Sequence, residues 1–160
     1  MIKPRAIAGC AMIASIFCCS CHREQFIRFK KGLEYRIISI GEGDSIRPGE
    51  TLKLHLKQVY HDSVLNDTRD SLPFYQVYDS LSLTPESWYI FGKLRKGDSA
   101  IFRSVGDSAF KKGIPPFAKK GEWLYTCLKV VDIFGVKQDF RDDLRKEMEK
   151  KRREYEQATN

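Results

Sequence analysis

Cysteine and histidine are the residues best suited to covalent or metal chemistry, and this 160-residue chain has five and three of them. Cys10, Cys18, Cys19 and Cys21 crowd into the first 21 residues, while Cys127 stands alone far downstream. A disulfide framework needs cysteines spread through the folded part, so this distribution argues against one. His22, His55 and His61 have no cysteines at the spacing of a zinc site. No glycine-rich phosphate loop and no serine nucleophile elbow occurs. The motifs therefore imply no metal and no cofactor. Cys127 lies in an apolar strand pattern, where a thiol is expected to be buried and inert.

The four early cysteines have a context of their own. Lys3 and Arg5 precede an apolar, uncharged run from Ala6 to Phe17, and the chain turns polar at His22-Arg23-Glu24-Gln25. The run is too short for a membrane-spanning helix, which needs about 20 apolar residues. Its length and flanks are those of a secretory signal. Phe17-Cys18-Cys19-Ser20-Cys21 resembles a bacterial lipobox, in which the last cysteine is lipidated and becomes residue one of the mature chain. Ile7-Ala8-Gly9-Cys10 fits the pattern more tightly but comes too early, with almost no apolar run before it. Cys21 is preferred to Cys19 because Ser20 suits the position before cleavage better than Cys18. The expectation is a signal peptide over 1–20 and a linker from lipidated Cys21 over 21–31. A plain or uncleaved secretory signal is the alternative. Two acyl chains are what stable anchoring requires.

Formal charge is +7 for the whole chain, or about +5 once Lys3 and Arg5 are removed. The densest basic block, Lys150 to Arg153, lies among glutamates, as on a solvated helix face. No nucleic-acid recognition motif accompanies the charge, and no nucleic-acid partner is expected.

Between these ends the chain reads as strands around one helix. Leu33, Tyr35 and Ile37 alternate, and Gly41-Glu42-Gly43-Asp44 and Arg47-Pro48-Gly49-Glu50 are turns. Thr51 to Tyr60 places Leu52, Leu54 and Leu56 on one face and Lys53, His55 and Lys57 on the other, the pattern of a half-buried antiparallel strand. His61 to Asp70 is polar and loop-like, and Leu72 to Tyr78 is β-prone. Thr84 can cap a helix that has Pro85 at its first position and Glu86 at the positive end of its dipole. That helix is expected to run to about Leu94 and stop at Lys96-Gly97. Strands resume at Ser99 to Val105 and Trp123 to Asp132. The fold class is α+β with a mostly antiparallel sheet over 32–135. A charged amphipathic helix follows in 136–160. Its narrow stripe is Phe140, Leu144 and Met148, and Glu147 and Lys151 stand at a favourable ion-pair spacing.

The order of these pieces resembles FKBP-type peptidyl-prolyl cis-trans isomerases, small lipoprotein members of the Bacteroidetes kind in particular. Gly32-Leu33-Glu34-Tyr35 and Gly41-Glu42-Gly43-Asp44 resemble the family's first strand and turn. Pro48-Gly49-Glu50-Thr51, Lys96-Gly97-Asp98-Ser99-Ala100, Asp107-Ser108-Ala109-Phe110, Ile114-Pro115-Pro116 and Lys129-Val130-Val131-Asp132-Ile133 follow in the family's order. The resemblance implies a twisted antiparallel sheet wrapped around the short helix, with an aromatic pocket between them that accepts a prolyl ring. Rotation about X–Pro meets the amide resonance barrier of about 18–20 kcal/mol. An apolar pocket favours the twisted, less conjugated amide, so no nucleophile is needed.

Carried over residue by residue, the resemblance makes Asp67 the pocket carboxylate and Phe110 the ring in place of the ligand-bonding tyrosine. Phe74 and Ile114 match pocket residues directly. Leu56, Asn66 and Thr126 stand where the family has aromatic rings. The ungapped alignment places Ser87 at the floor tryptophan, and Trp88 fits with a one-residue shift. Asp67 could equally be a turn residue bonding its own backbone. Phe74 and Trp88 could equally be core, and Ile114 loop packing.

Three functions follow. One is a slow envelope prolyl isomerase acting on proline-containing exported polypeptides. Another is a non-catalytic binding module that uses the groove or the C-terminal helix to hold a partner. The third is a packing unit in a larger envelope assembly. The expected location is the bacterial cell envelope, lipid-anchored at the outer membrane through Cys21. Fatty-acid labelling should mark the wild-type chain and leave Cys21→Ala unlabelled and off the membrane; lipid retained by that variant would refute the assignment.

Overall fold

The computed structural model describes residues 25–105, 118–136 and 139–159. The expected signal over 1–20, the lipid site Cys21, and the pocket candidates Phe110 and Ile114 lie outside those residues. In chain order the elements are strands β1 (Ile27–Lys30), β2 (Leu33–Ile38), β3 (Thr51–Tyr60), β4 (Ser63–Asp67) and β5 (Phe74–Val77). Helix α1 (Pro85–Phe91), β6 (Ser99–Val105), β7 (Trp123–Phe134) and helix α2 (Arg141–Thr159) follow.

The strands form one antiparallel sheet in the order β1-β2-β6-β7-β3-β4, with β5 also on β3. β4 pairs with the far end of β3, from Lys57 to Tyr60, and β5 with its near end, from Thr51 to Leu54. Thr68 closes the gap between them. Its N–H donates to the Leu56 carbonyl at 2.9 Å, and its Oγ1 accepts the Leu56 N–H at 2.8 Å. The α+β architecture expected from the alternation is the one that forms.

Two stretches differ from the sequence reading. Ile27–Lys30, inside the expected linker, is an edge strand on β2. Ser63–Asp67, inside the expected loop, is a strand on β3. β4 is exposed except at its last residue, so it lacks the apolar alternation by which a strand is recognised; pairing with β3 defines it.

Helix α1 forms where its cap predicts. Thr84 Oγ1 accepts the Ser87 N–H at 3.3 Å, and Pro85 occupies the first turn. The regular helix ends at Phe91, earlier than Leu94, and a tighter turn continues it through the Lys93 N–H to Ile90 carbonyl and Leu94 N–H to Phe91 carbonyl bonds. That turn seats Leu94 in the core. Gly92 permits it: a Cβ there would overlap the Tyr78 hydroxyl. The core unites Leu52, Leu54, Ile90, Leu94 and Val130, all fully buried, with Tyr35, Tyr78, Ala100 and Leu128. Burying each large aliphatic side chain is worth about 1.5–3 kcal/mol.

A buried carboxylate joins three corners of this core. Asp98 is fully buried. Its Oδ1 accepts the N–H groups of Ile40 at 2.9 Å and Gly41 at 2.7 Å, and its Oδ2 accepts the Arg95 N–H at 2.9 Å. The exits of β2 and α1 and the start of β6 are thereby tied to one side chain. Gly41 must be glycine, because a Cβ would run into the Lys96 carbonyl.

Helix α2 is held differently from the apolar stripe expected of it. None of its residues is buried, and Met148 is 54% exposed. Its contacts with the sheet are largely polar. Lys53 Nζ, its side chain 9% exposed, lies 2.7 Å from both Asp143 and Glu147. The Tyr75 hydroxyl donates to Asp143 at 2.5 Å, and the Tyr75 ring stacks on Phe140 at 5.3 Å. Glu147 therefore pairs with Lys53, and Lys151 pairs with Glu154 instead. Burial pulls Lys53 downward, but its two carboxylate partners outweigh that and hold it above its ordinary value. Burial pushes Asp143 upward, but hydrogen bonds from Lys53 and Tyr75 hold it below the ordinary carboxylate value.

Two outcomes follow. Asp98→Ala strands three buried backbone donors and should cost about 3–4 kcal/mol in urea unfolding, with Asp98→Asn intermediate. A depressed carboxylate lends stability that is present above its unfolded pKa and disappears as pH falls through the folded one. The α2 contact should therefore persist at neutral pH and fail in acid, below the ordinary Asp value of 3.8. Hydrogen exchange of α2 amides should then accelerate while β3 and β7 stay protected. Asp143→Asn with Glu147→Gln should give the released state at pH 7.

Candidate functional site

The alternation along β3 sorts the sheet into two surfaces. Cross-strand partners share a face, so the register assigns each neighbour. Leu52 and Leu54 point at α1. Leu56, Gln58 and Tyr60 continue that helix face by the period of two. Across the sheet, Asn66, Gln58, Thr126, Phe102 and Tyr35 form one row of it. The outer face carries the parallel row Asp67, Lys57, Cys127, Ile101 and Arg36.

The helix face therefore brings together Leu56, Asn66 and Thr126 from the sequence-derived set. Phe74 joins them as the partner of Leu54, although it is 48% exposed. Trp88 is a half-buried anchor of α1. Its ring stacks on Tyr78 at 4.1 Å, and the Tyr78 hydroxyl donates to the Trp88 carbonyl at 3.0 Å. The helix residues that line space against the sheet are Glu86 and Ser87. A cavity of about 200 Å³ lies between the first turn of α1 and the sheet, among Leu33, Thr84, Ser87, Phe102 and Ser104. A Lys30–Glu86 ion pair lies beside it. Trp88 packs on Tyr78 and is not among the residues that line this cavity.

Asp67 does not join this group. It opposes Lys57, and its side chain, 8% exposed, faces the outer surface. The Arg69 guanidinium engages both carboxylate oxygens, and the Arg69 backbone N–H donates to Oδ1 at 3.1 Å. These bonds, foremost the Arg69 side chain, hold the Asp67 carboxyl well below the usual carboxylate range. The self-bonded turn is thus the role the geometry gives it, joined to a cross-strand pairing. The one-residue step from Asn66 to Asp67 moves a side chain through the sheet, and the carry-over of adjacent positions missed that.

Sequence reasoning also passed over Gln58 and Phe102. Both could have been found by extending the alternation outward from Leu54 and Ala100. Gln58, Asn66 and Thr126 offer amide and hydroxyl groups that can donate and accept. Phe102 and Leu56 supply apolar surface. At the end of this face Tyr60 donates to Glu122 and accepts the Lys119 N–H at 2.8 Å. His61 Nε2 lies 3.0 Å from the same carboxylate. The hydrogen bond from Tyr60, then that from His61, keep Glu122 below its ordinary value. Such an arrangement can hold an extended peptide by hydrogen bonds and apolar contact.

No family model matches the chain, and no curated protein matches it in sequence. Solved structures do. FkpA from Escherichia coli superposes with a TM-score of 0.51 at 15% identity, over 69% of this chain and 52% of that one. This chain thus matches about half of FkpA's length. The N-terminal domain of FKBP42 from Arabidopsis thaliana gives 0.49 at 12% identity, over 84% of this chain and 98% of that domain. The fold is FKBP-like: a mostly antiparallel α+β sheet packed on a short helix, with a second helix at the C-terminus.

Proposed function

We propose that the helix face holds proline-containing segments of exported polypeptides and isomerises them slowly, as a member of the FKBP-type group anchored to the cell envelope through Cys21. The carrying observation is the row Asn66–Gln58–Thr126–Phe102 beside α1. It sets peptide-bonding groups and one ring side by side on the helix face of an FKBP-like sheet, which supports the reading. The lipid anchor and the envelope location rest on the tripartite N-terminal segment alone.

Weak catalysis is the expectation because the groove is less aromatic than the family's. Loss of an aromatic wall at a twisted amide costs about 0.5–1.5 kcal/mol. Loss of a hydrogen bond to that amide costs about as much. Together these lower the rate roughly 10- to 100-fold. A second reading, a non-catalytic peptide-binding module, is favoured by one observation: Asp67, the only carboxylate carried over from the family's pocket, lies on the opposite face.

Prolyl exchange in a short peptide, followed by nuclear magnetic resonance, tests both. The wild-type chain should accelerate exchange measurably but weakly. Asn66→Phe with Thr126→Phe should raise the rate about tenfold. Asp67→Ala should leave it unchanged. Peptide binding with no acceleration in either the wild type or the double variant would establish the binding module. Neither binding nor acceleration would refute the groove altogether.

A further inference from the structure

The outer face of the sheet holds a second cavity, of about 280 Å³, with no part in the peptide groove. Its floor is apolar: Ile38 from β2, Ile101 from β6 and Cys127 from β7, with the Leu56 and Leu128 positions behind them. Its polar lining is mostly cationic. Lys57, Arg69 and Lys129 are set against a single carboxylate, Asp67, an excess of two positive charges. That carboxylate is already occupied by Arg69 through both oxygens. Lys57 Nζ lies 3.9 Å from Asp67 Oδ2, beyond hydrogen-bond reach.

His55, Ser99 and Cys127 complete the lining without adding charge. Thr68 Oγ1 accepts the Leu56 N–H at 2.8 Å and lies 3.2 Å from His55 Nδ1. Burial, with the Arg69 charge adding to it, draws His55 below its ordinary value against the field of Glu147. Burial pushes the Cys127 thiol up against the fields of Lys57, Arg36 and Arg69, so it stays protonated.

An apolar floor under a rim with two positive charges in excess suits a molecule with one anionic head and a short apolar tail. The volume is at the low end for small-ligand pockets, and it holds about nine water-sized groups. We infer that this cavity binds a free alkyl carboxylate of about eight to ten carbons, its chain over Ile38, Ile101 and Cys127 and its carboxylate between Lys57 and Lys129. The site lies on the sheet face away from α1, so its occupation is independent of the peptide groove.

Cys127 is a built-in reporter. The full chain is alkylated with iodoacetamide in the presence of decanoate, decanol or butyrate, all below micelle-forming concentrations. Modification of Cys127 is read by peptide mass mapping, which separates it from the four early cysteines. Decanoate should protect Cys127 at a concentration at least tenfold below decanol, and butyrate should protect little. Lys57→Gln with Lys129→Gln should erase the preference for the carboxylate, with protection scored against that variant's own unliganded rate, which falls because the Lys57 field on the thiol is lost. Raising sodium chloride to 0.5 M should weaken decanoate protection in the wild type, a readout that needs no substitution. Vesicles of phosphatidylglycerol should not protect. Equal protection by decanol and decanoate, no protection by either, or protection by vesicles as strong as by decanoate would each overturn the proposal.

Discussion

One buried carboxylate fixes where the main pieces meet. Asp98 has no exposure to water, and an unpaired charge in such a place would be prohibitive. Three backbone N–H groups satisfy it, from Ile40, Gly41 and Arg95. Each belongs to a segment that leaves the sheet or the helix, so the charge can be accommodated only when β2, α1 and β6 have all arrived. The Val130 N–H donates to the Asp98 carbonyl at 2.9 Å, which extends the junction to β7. The approach of Gly41 to Lys96 is a consequence of the same closeness. The spacing between α1 and the sheet is inherited from this junction.

The sheet then divides its labour by parity. Along β3 one set of side chains builds the core and the row that continues the helix face, and the other builds a cationic outer surface. The two surfaces are separated by a single layer of backbone. Chemistry on one side is therefore set by residues interleaved with those of the other. Cys127 is an example: its neighbour Leu128 is core, while its own thiol lines the outer cavity.

Much of the fold was legible because it rests on period-two alternation and on helix capping. Thr51–Tyr60 and Ser99–Val105 were read with their observed bounds, and Thr84 and Pro85 start α1 as expected. β4 was not legible because Ser63–Asp67 is mostly exposed and becomes a strand through its partner. The docking of α2 was misread because Phe140, Leu144 and Met148 promise an apolar stripe, whereas Lys53 supplies a buried cation that only a carboxylate can meet. The site was half legible. Leu56, Asn66 and Thr126 share a face, but a bulge at Gln58/Val59 and the strand end leave Asp67 opposite Lys57. A family motif conveys residue order; it does not convey the face on which an adjacent residue emerges.

The attachment of α2 also has a mechanical side. The helix has 19 residues, which at 1.5 Å each is roughly 28 Å of rod. Its links to the sheet and its loops are Phe140, Asp143, Glu147 and Lys151, the last through a 3.4 Å bond to the Arg69 carbonyl. Beyond them Tyr155 is 73% exposed. The element is a rod fastened from its start as far as Lys151 by ion pairs, one ring stack and one hydrogen bond to a loop. A load at the far end reaches the sheet through Lys53 of β3, so these ion pairs give way before the β3–β7 ladder does.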